Sequence, residues 1–108
     1  MDPQARLFYG IVLGRGETAF AAANRAYAAG KAHGVSTGSA GKPGAGEEHT
    51  DSYIYVTASA VEAFDGVVAV PPTALASQPE WDARLAAVCA LCNIPFRTPG
   101  WHLGTEID

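Results

Sequence analysis

The first residues that could do chemistry form a glycine-rich turn near the start of the chain. Residues 14–19 read Gly-Arg-Gly-Glu-Thr-Ala and follow an apolar run. This spacing fits the GxGxxG/A pattern, in which backbone N–H groups and a helix N-terminus face a phosphate. Glu17 would place a negative charge at that position, and the chain is too short for a doubly wound nucleotide-binding sheet. We therefore expect a tight turn, with Gly14, Arg15, Gly16 and Thr18 as candidates for contact with an anion or small ligand.

A second group combines aromatic, basic and acidic side chains. His102 and Glu106 alternate onto one face of the last predicted strand, and Tyr53 and Tyr55 share a face of an earlier one. Arg97 comes shortly before His102. On an open sheet face such residues could bind a ligand or perform acid–base chemistry, or form a solvated surface or a dimer interface. Since no nucleophile stands beside a recognisable base, the sequence assigns no catalytic residue.

The two cysteines have CxxC spacing at Cys89 and Cys92. A redox CxxC opens a helix, where the helix dipole lowers the thiol pKa, but this pair falls at the end of a predicted helix. A zinc site would need two further ligands, and the three histidines stand at no recognisable spacing. The sequence therefore predicts buried structural thiols, no metal and no cofactor.

The elements that position these residues follow from the apolar periodicity. In chain order the predicted elements are strand 6–13, helix 17–32, flexible glycine-rich loop 34–51, strand 51–58, strand 67–70, helix 77–92 and strand 101–107. This order predicts an α/β (α+β) fold, a ferredoxin-like βαββαβ domain with a four-stranded antiparallel sheet and both helices on one face. The residues expected to face the sheet are Phe20, Ala23, Tyr27 and Gly30 in the first helix, and Trp81, Leu85, Val88 and Cys92 in the second.

Composition limits the size of the core and the kinds of partner. The chain of 108 residues fits one domain, and 21 of its residues are alanine, so the core is thin and sharing apolar surface in a homodimer is favoured. The net charge is −4, and residues 47–108 carry the acidic excess. The few basic residues are scattered, which makes nucleic acid an improbable partner. The lack of an 18-residue apolar run and of signal-peptide features predicts a cytoplasmic protein with no membrane segment.

These observations favour a small non-enzymatic interaction module. Its exposed sheet face or acidic C-terminal half would contact a protein partner, as a phage-type inhibitor does with a basic surface, or would support self-association. One alternative is a small dimeric α+β-barrel enzyme with a pocket over the sheet. Another is a ligand-sensing domain that uses the turn around Arg15. The sequence leaves these three classes open.

Overall fold

The computed structural model describes residues 2–42, 46–76 and 78–107. They form an α+β domain with five strands and two helices: β1 (Ala5–Arg15), α1 (Glu17–His33), β2 (Val35–Gly41), β3 (Thr50–Val56), β4 (Val61–Ala63), α2 (Pro79–Leu91) and β5 (Gly100–Thr105). Short 3-10 turns lie at Glu47–His49, Thr57–Ser59 and Pro72–Leu75. In these described ranges no helix has the length and apolar character needed to cross a membrane.

β1 is the central strand of the antiparallel sheet. It pairs with β5 along Ala5–Gly10, with β4 along Ala5–Leu7, and with β3 along Gly10–Arg15. Because a strand has only two edges and β5 occupies one of them, β3 and β4 share the other. β2 then pairs with β3. This arrangement is compatible with a ferredoxin-like class, but the predicted count of four strands is wrong, since the 3-10 turn Thr57–Ser59 separates β4 from β3.

Two segments differ from their predicted structure. Val67–Val70 has the composition of a strand, yet it lies outside every strand and helix. The edge of β1 that it would pair with is already occupied by β4. Conversely, Val35–Gly41 of the predicted loop 34–51 is strand β2, held in register by backbone pairing with β3. Residues 43–45 of that loop lie outside the described residues.

Helix α1 approaches the sheet through its smallest residues. A Cβ added at Gly30 would lie 2.3 Å from the Val35 carbonyl oxygen, so the helix and β2 are in close backbone contact at this point. The buried residues of α1 are Ala19, Ala22, Ala23, Ala26 and Gly30. The predicted apolar stripe is therefore wrong for its two aromatic members, because Phe20 is exposed and Tyr27 is 60% exposed. The buried face of α1 thus consists of alanine and glycine alone among the described side chains.

Helix α2 supplies the larger apolar side chains of the core. Trp81, Leu85, Val88 and Cys92 are buried, as predicted from their spacing. They form one cluster with residues of α1 and with Tyr9, Ile11, Ile54 and Val56 from the sheet. Both helices therefore cover the same face of the sheet, and this face is the main core of the domain.

Candidate functional site

The sheet face opposite the helices carries an aromatic cluster of Phe8, Tyr53, Tyr55 and His102. Phe8 stacks on Tyr53 with ring centroids 4.3 Å apart, and its ring centroid lies 5.5 Å from those of Tyr55 and His102. The structure thus places Tyr53, Tyr55 and His102 together on the face that their alternation predicts. However, Phe8 and Tyr53 are only 1% exposed. The expected open face is filled by its own aromatic side chains.

Coiling of the sheet explains why this face is closed without a helix over it. The backbone beyond β5 reaches β2, where Gly41 N–H donates to the Glu106 carbonyl at 3.1 Å and Ala40 bridges to Ile107. Two opposite corners of the sheet therefore meet above the aromatic cluster. The cavity left beside Phe8 and His102 is about 140 Å³, smaller than the roughly 300–1,000 Å³ of typical ligand pockets. This size disfavours a substrate pocket over the sheet.

An ion pair that the sequence reasoning missed lies at the border of the aromatic cluster. Arg6 and Glu62 stand directly opposite each other on β1 and β4, with Arg6 Nη2 2.6 Å from Glu62 Oε2. Arg6 Nη1 also donates to the Tyr53 hydroxyl at 2.7 Å, and the guanidinium lies 5.0 Å from the centroid of the Tyr55 ring. The arrangement is structural, because it satisfies a largely buried cation on every side. A charged residue near the start of a largely apolar strand was the available signal for it.

Burial and the neighbouring cation act in opposite directions on Tyr53. Burial raises the pKa of the Tyr53 phenol above 10.0, and Arg6 only partly offsets this. Burial works against the charge of Arg6, but the hydrogen bond to Glu62 and the two tyrosines outweigh it, so the pKa of Arg6 is raised. The guanidinium therefore remains a cation beside the neutral phenol of Tyr53 at physiological pH.

Glu106 and Arg97 do not join the aromatic cluster. Glu106 adopts a left-handed backbone conformation with φ 52° and lines a cavity of about 380 Å³ at the sheet corner, together with Lys42, His49 and Asp51. Arg97 lies outside both this cavity and the aromatic cluster, and its Nη1 donates to the Val12 carbonyl at 3.2 Å. The five predicted sheet-face residues are thus divided among three places.

Arg97 instead borders a cavity beside the predicted glycine turn, which we term the arginine pocket. Its volume is about 350 Å³, and Arg15, Thr18, Arg25 and Arg97 contribute to its lining. Gly14 and Gly16 have positive φ values of 115° and 95°, which few residues other than glycine adopt, so they form the tight turn that the sequence predicts. Of the four turn candidates, only Arg15 and Thr18 line the pocket. The sequence reasoning missed Arg25, which lies two turns along α1 from Thr18.

A third feature is an apolar groove on the helix face, at the end of the sheet that the helices leave uncovered. It has a volume of about 280 Å³. We call this cavity and its lining residues the apolar groove. The lining residues are Ala5, Leu7, Val61, Glu62, Ala63, Val68, Val70 and Leu103. Next to it Phe64 is exposed, Val67 is 99% exposed and Leu103 is 68% exposed. The valine run that the sequence assigned to a strand therefore forms an exposed apolar surface.

The cysteines offer no reactive centre. Both Cys89 and Cys92 are buried and free, in agreement with the prediction of structural thiols. Burial raises the pKa of the Cys89 thiol, which favours the unreactive protonated form. Within the described ranges no group of three or more His, Cys, Asp or Glu side chains is arranged to hold a metal ion.

Comparison of the chain with protein-family models, with curated proteins and with solved structures found no match. The arginine pocket and the apolar groove are therefore the features of this chain that bear on its function.

Proposed function

We propose that this protein is a non-enzymatic interaction module that forms a homodimer through the apolar groove and the outer edge of β5. The observation that carries the proposal is that a groove and protruding apolar side chains occur on one surface. Val67 and Leu103 project next to the cavity lined by Leu7 and Val61. Contiguous apolar surface of this kind is typical of protein contact sites.

A second copy of the chain is the partner that this surface fits best. In a two-fold symmetric interface the same patch meets itself, so it must carry both the projecting and the receiving parts. The surface described here carries both. The thin alanine core adds to this argument, because a small domain gains stability by burying apolar area against another subunit. The expected location of the interface therefore moves from the filled sheet face to the groove.

The outer edge of β5 supports the same arrangement. In the part of the chain that the structure describes, β5 pairs with β1 and with no other strand. Along Gly100–Thr105 its other edge pairs with no described strand, although the backbone just beyond it is bonded to β2 at Gly41, and an unpaired stretch of edge can accept a further strand. Antiparallel pairing of two β5 strands centred on Leu103 would place both Leu103 side chains on the same face, next to both grooves.

Replacing Leu103 with arginine tests the proposal. We expect the wild-type chain to sediment as a dimer, and Leu103→Arg to weaken dimerisation at least about 100-fold, because a charge would be buried in an apolar contact. Sedimentation equilibrium over a concentration series measures both. Leu91→Arg is the matched control, since Leu91 on α2 is 65% exposed and lies outside the groove lining.

Sedimentation of the control and of the wild-type chain can each contradict the proposed dimer. Leu91→Arg should dimerise like the wild type. A wild-type chain that stays monomeric at about 1 mM, or a Leu103→Arg variant that dimerises normally, would contradict self-association through this surface. In the first case the groove would be left for a different protein partner.

A further inference from the structure

We infer that the arginine pocket is a binding site for a small organic anion, with a phosphate or carboxylate head on a compact apolar body. This inference is independent of the proposed dimer, because the arginine pocket and the apolar groove share no lining residue. The geometry that points to it has three parts: cationic side chains, an uncapped helix N-terminus and an apolar floor.

Three arginines line the pocket: Arg15, Arg25 and Arg97. Arg25 Nε donates to the Cys92 carbonyl at 3.1 Å, and Arg97 Nη1 donates to the Val12 carbonyl at 3.2 Å. Each is thereby held by one bond to the main chain. Among the described residues neither Arg25 nor Arg97 forms an ion pair with a carboxylate, so their charges and remaining N–H donors are available.

Arg15 contributes less charge than the other two arginines. Its Nε lies 3.1 Å from Asp51 Oδ1, so part of its charge is already neutralised. The pocket is still locally basic, although the chain has a net charge of −4, because three of the seven lysine and arginine residues line it. Guanidinium groups also match the planar and tetrahedral oxyanions of carboxylates and phosphates in geometry.

The N-terminus of α1 opens into the same cavity. Its first helical hydrogen bond is donated by Phe20 N–H to the Gly16 carbonyl at 3.0 Å. The N–H groups of Thr18 and Ala19 precede that bond, so they have no acceptor within the helix, and Gly16 supplies no capping side chain. Thr18 and Ala19 both line the pocket, whereas the Glu17 carboxylate is not part of its lining. A helix of 17 residues also adds partial positive charge at this end.

The rest of the lining selects the body of the ligand. Leu13, Ala22, Ile94 and Pro95 form an apolar floor beneath the arginines. The volume of about 350 Å³ lies at the small end of the roughly 300–1,000 Å³ range of ligand pockets. The pocket therefore suits one ring or a short aliphatic chain with an anionic head better than a bare inorganic ion or a dinucleotide.

Titration of the full chain with phenyl phosphate, benzoate, inorganic phosphate and benzyl alcohol tests this inference. Calorimetry at low salt should give a Kd below about 1 mM for phenyl phosphate or benzoate. We expect inorganic phosphate to bind at least about tenfold more weakly, because it has no apolar body, and neutral benzyl alcohol not to bind. Running the titrations on Leu103→Arg as well separates anion binding from dimerisation.

Charge-neutral variants then locate the site. Arg97→Gln should weaken binding of the tighter anion at least about tenfold. Arg25→Gln should do the same, with circular dichroism to check that loss of the bond to Cys92 leaves the fold intact. Arg84→Gln on α2 is the matched control, as it removes the same charge from an arginine outside the pocket.

Three results would overturn the inference. One is that neither phenyl phosphate nor benzoate binds at a concentration about 10-fold above the expected Kd. Another is binding that Arg97→Gln leaves unchanged. The last is equal weakening by Arg84→Gln and Arg97→Gln, which would show attraction to the overall charge and not to this pocket.

Discussion

Single residues decide how charge is accommodated in the aromatic cluster. Arg6 is a cation near the start of the largely apolar strand β1, and it is stabilised by Glu62 opposite it and by the Tyr53 hydroxyl at 2.7 Å. A hydrogen bond to a charged group is worth about 1.5–3 kcal/mol, and an unpaired buried charge costs more. Tyr53 is therefore a structural partner of the ion pair, and its protonation state affects stability.

Tyr53 makes the free energy of unfolding depend on alkaline pH. Its pKa is raised above 10.0 in the folded state. Well below pH 10 the phenol is neutral in both states. As the pH approaches and passes 10 the unfolded phenol ionises first, so the free energy of unfolding falls until the folded pKa is passed. Tyr53→Phe should remove the Tyr53 contribution to this fall and cost about 1–3 kcal/mol at neutral pH. Urea unfolding between pH 7 and 11 measures both effects.

Tyr27→Phe is the matched control for that measurement, because Tyr27 is exposed on α1 and is not in the cluster. It should retain the alkaline fall of the wild type. Cys89, whose pKa is raised above 9.0 by burial, contributes a fall of the same sign in all three proteins. If Tyr53→Phe and the wild type lose stability in parallel above pH 10, the described role of Tyr53 is wrong.

At the scale of elements, a helix or strand can be predicted where its side chains show an apolar pattern. It cannot be predicted where backbone pairing with a distant segment determines it. β1, α1, α2 and β5 have apolar patterns, and the sequence places them correctly to within a few residues. β2 has no such pattern, because Ser36–Gly41 consists of small residues that allow close approach. Gly38, for example, lies directly under the ring of Tyr53. Small residues in a sheet and in a flexible loop look alike in sequence.

The exposed valines of 67–70 show the opposite case. Their composition favours a strand, but β4 already occupies the available edge of β1. Pairing between distant segments decided the outcome, and a local pattern does not contain that information. The same limit applies to the candidate sites: the turn at Gly14–Thr18 could be predicted, but the approach of Arg97 to it depends on how the segment after α2 packs.

Gly30 tests the close contact between α1 and β2. Helix propensity alone predicts that Gly30→Ala stabilises the protein by about 1 kcal/mol. The added methyl group would lie 2.3 Å from the Val35 carbonyl oxygen, so we expect a net loss of about 1–3 kcal/mol instead. Chemical denaturation measures the sign directly. Ala28→Gly on the exposed side of α1 is the control and should cost about 1 kcal/mol; a stabilised Gly30→Ala variant would show that the helix lies farther from the sheet.

For the whole molecule, the aromatic cluster fills one face of the sheet and the helices cover most of the other. The apolar groove is the part of the helix face that they leave uncovered, and the arginine pocket lies apart from it with no shared lining residue. The domain can therefore associate with a second copy and hold an anion independently. Each copy carries a net charge of −4, so added salt should strengthen association by screening the repulsion between copies. Added salt should weaken anion binding, because it also screens the attraction between the anion and the arginines.

Intermolecular NOEs in a mixed sample of ¹³C-labelled and unlabelled chains test the proposed dimer most directly. We expect contacts between copies from the methyl groups of Leu103 to those of Val67, Val68 or the partner's Leu103. No intermolecular NOE at about 1 mM protein, or contacts confined to other exposed residues such as Leu91 and Phe20, would contradict it.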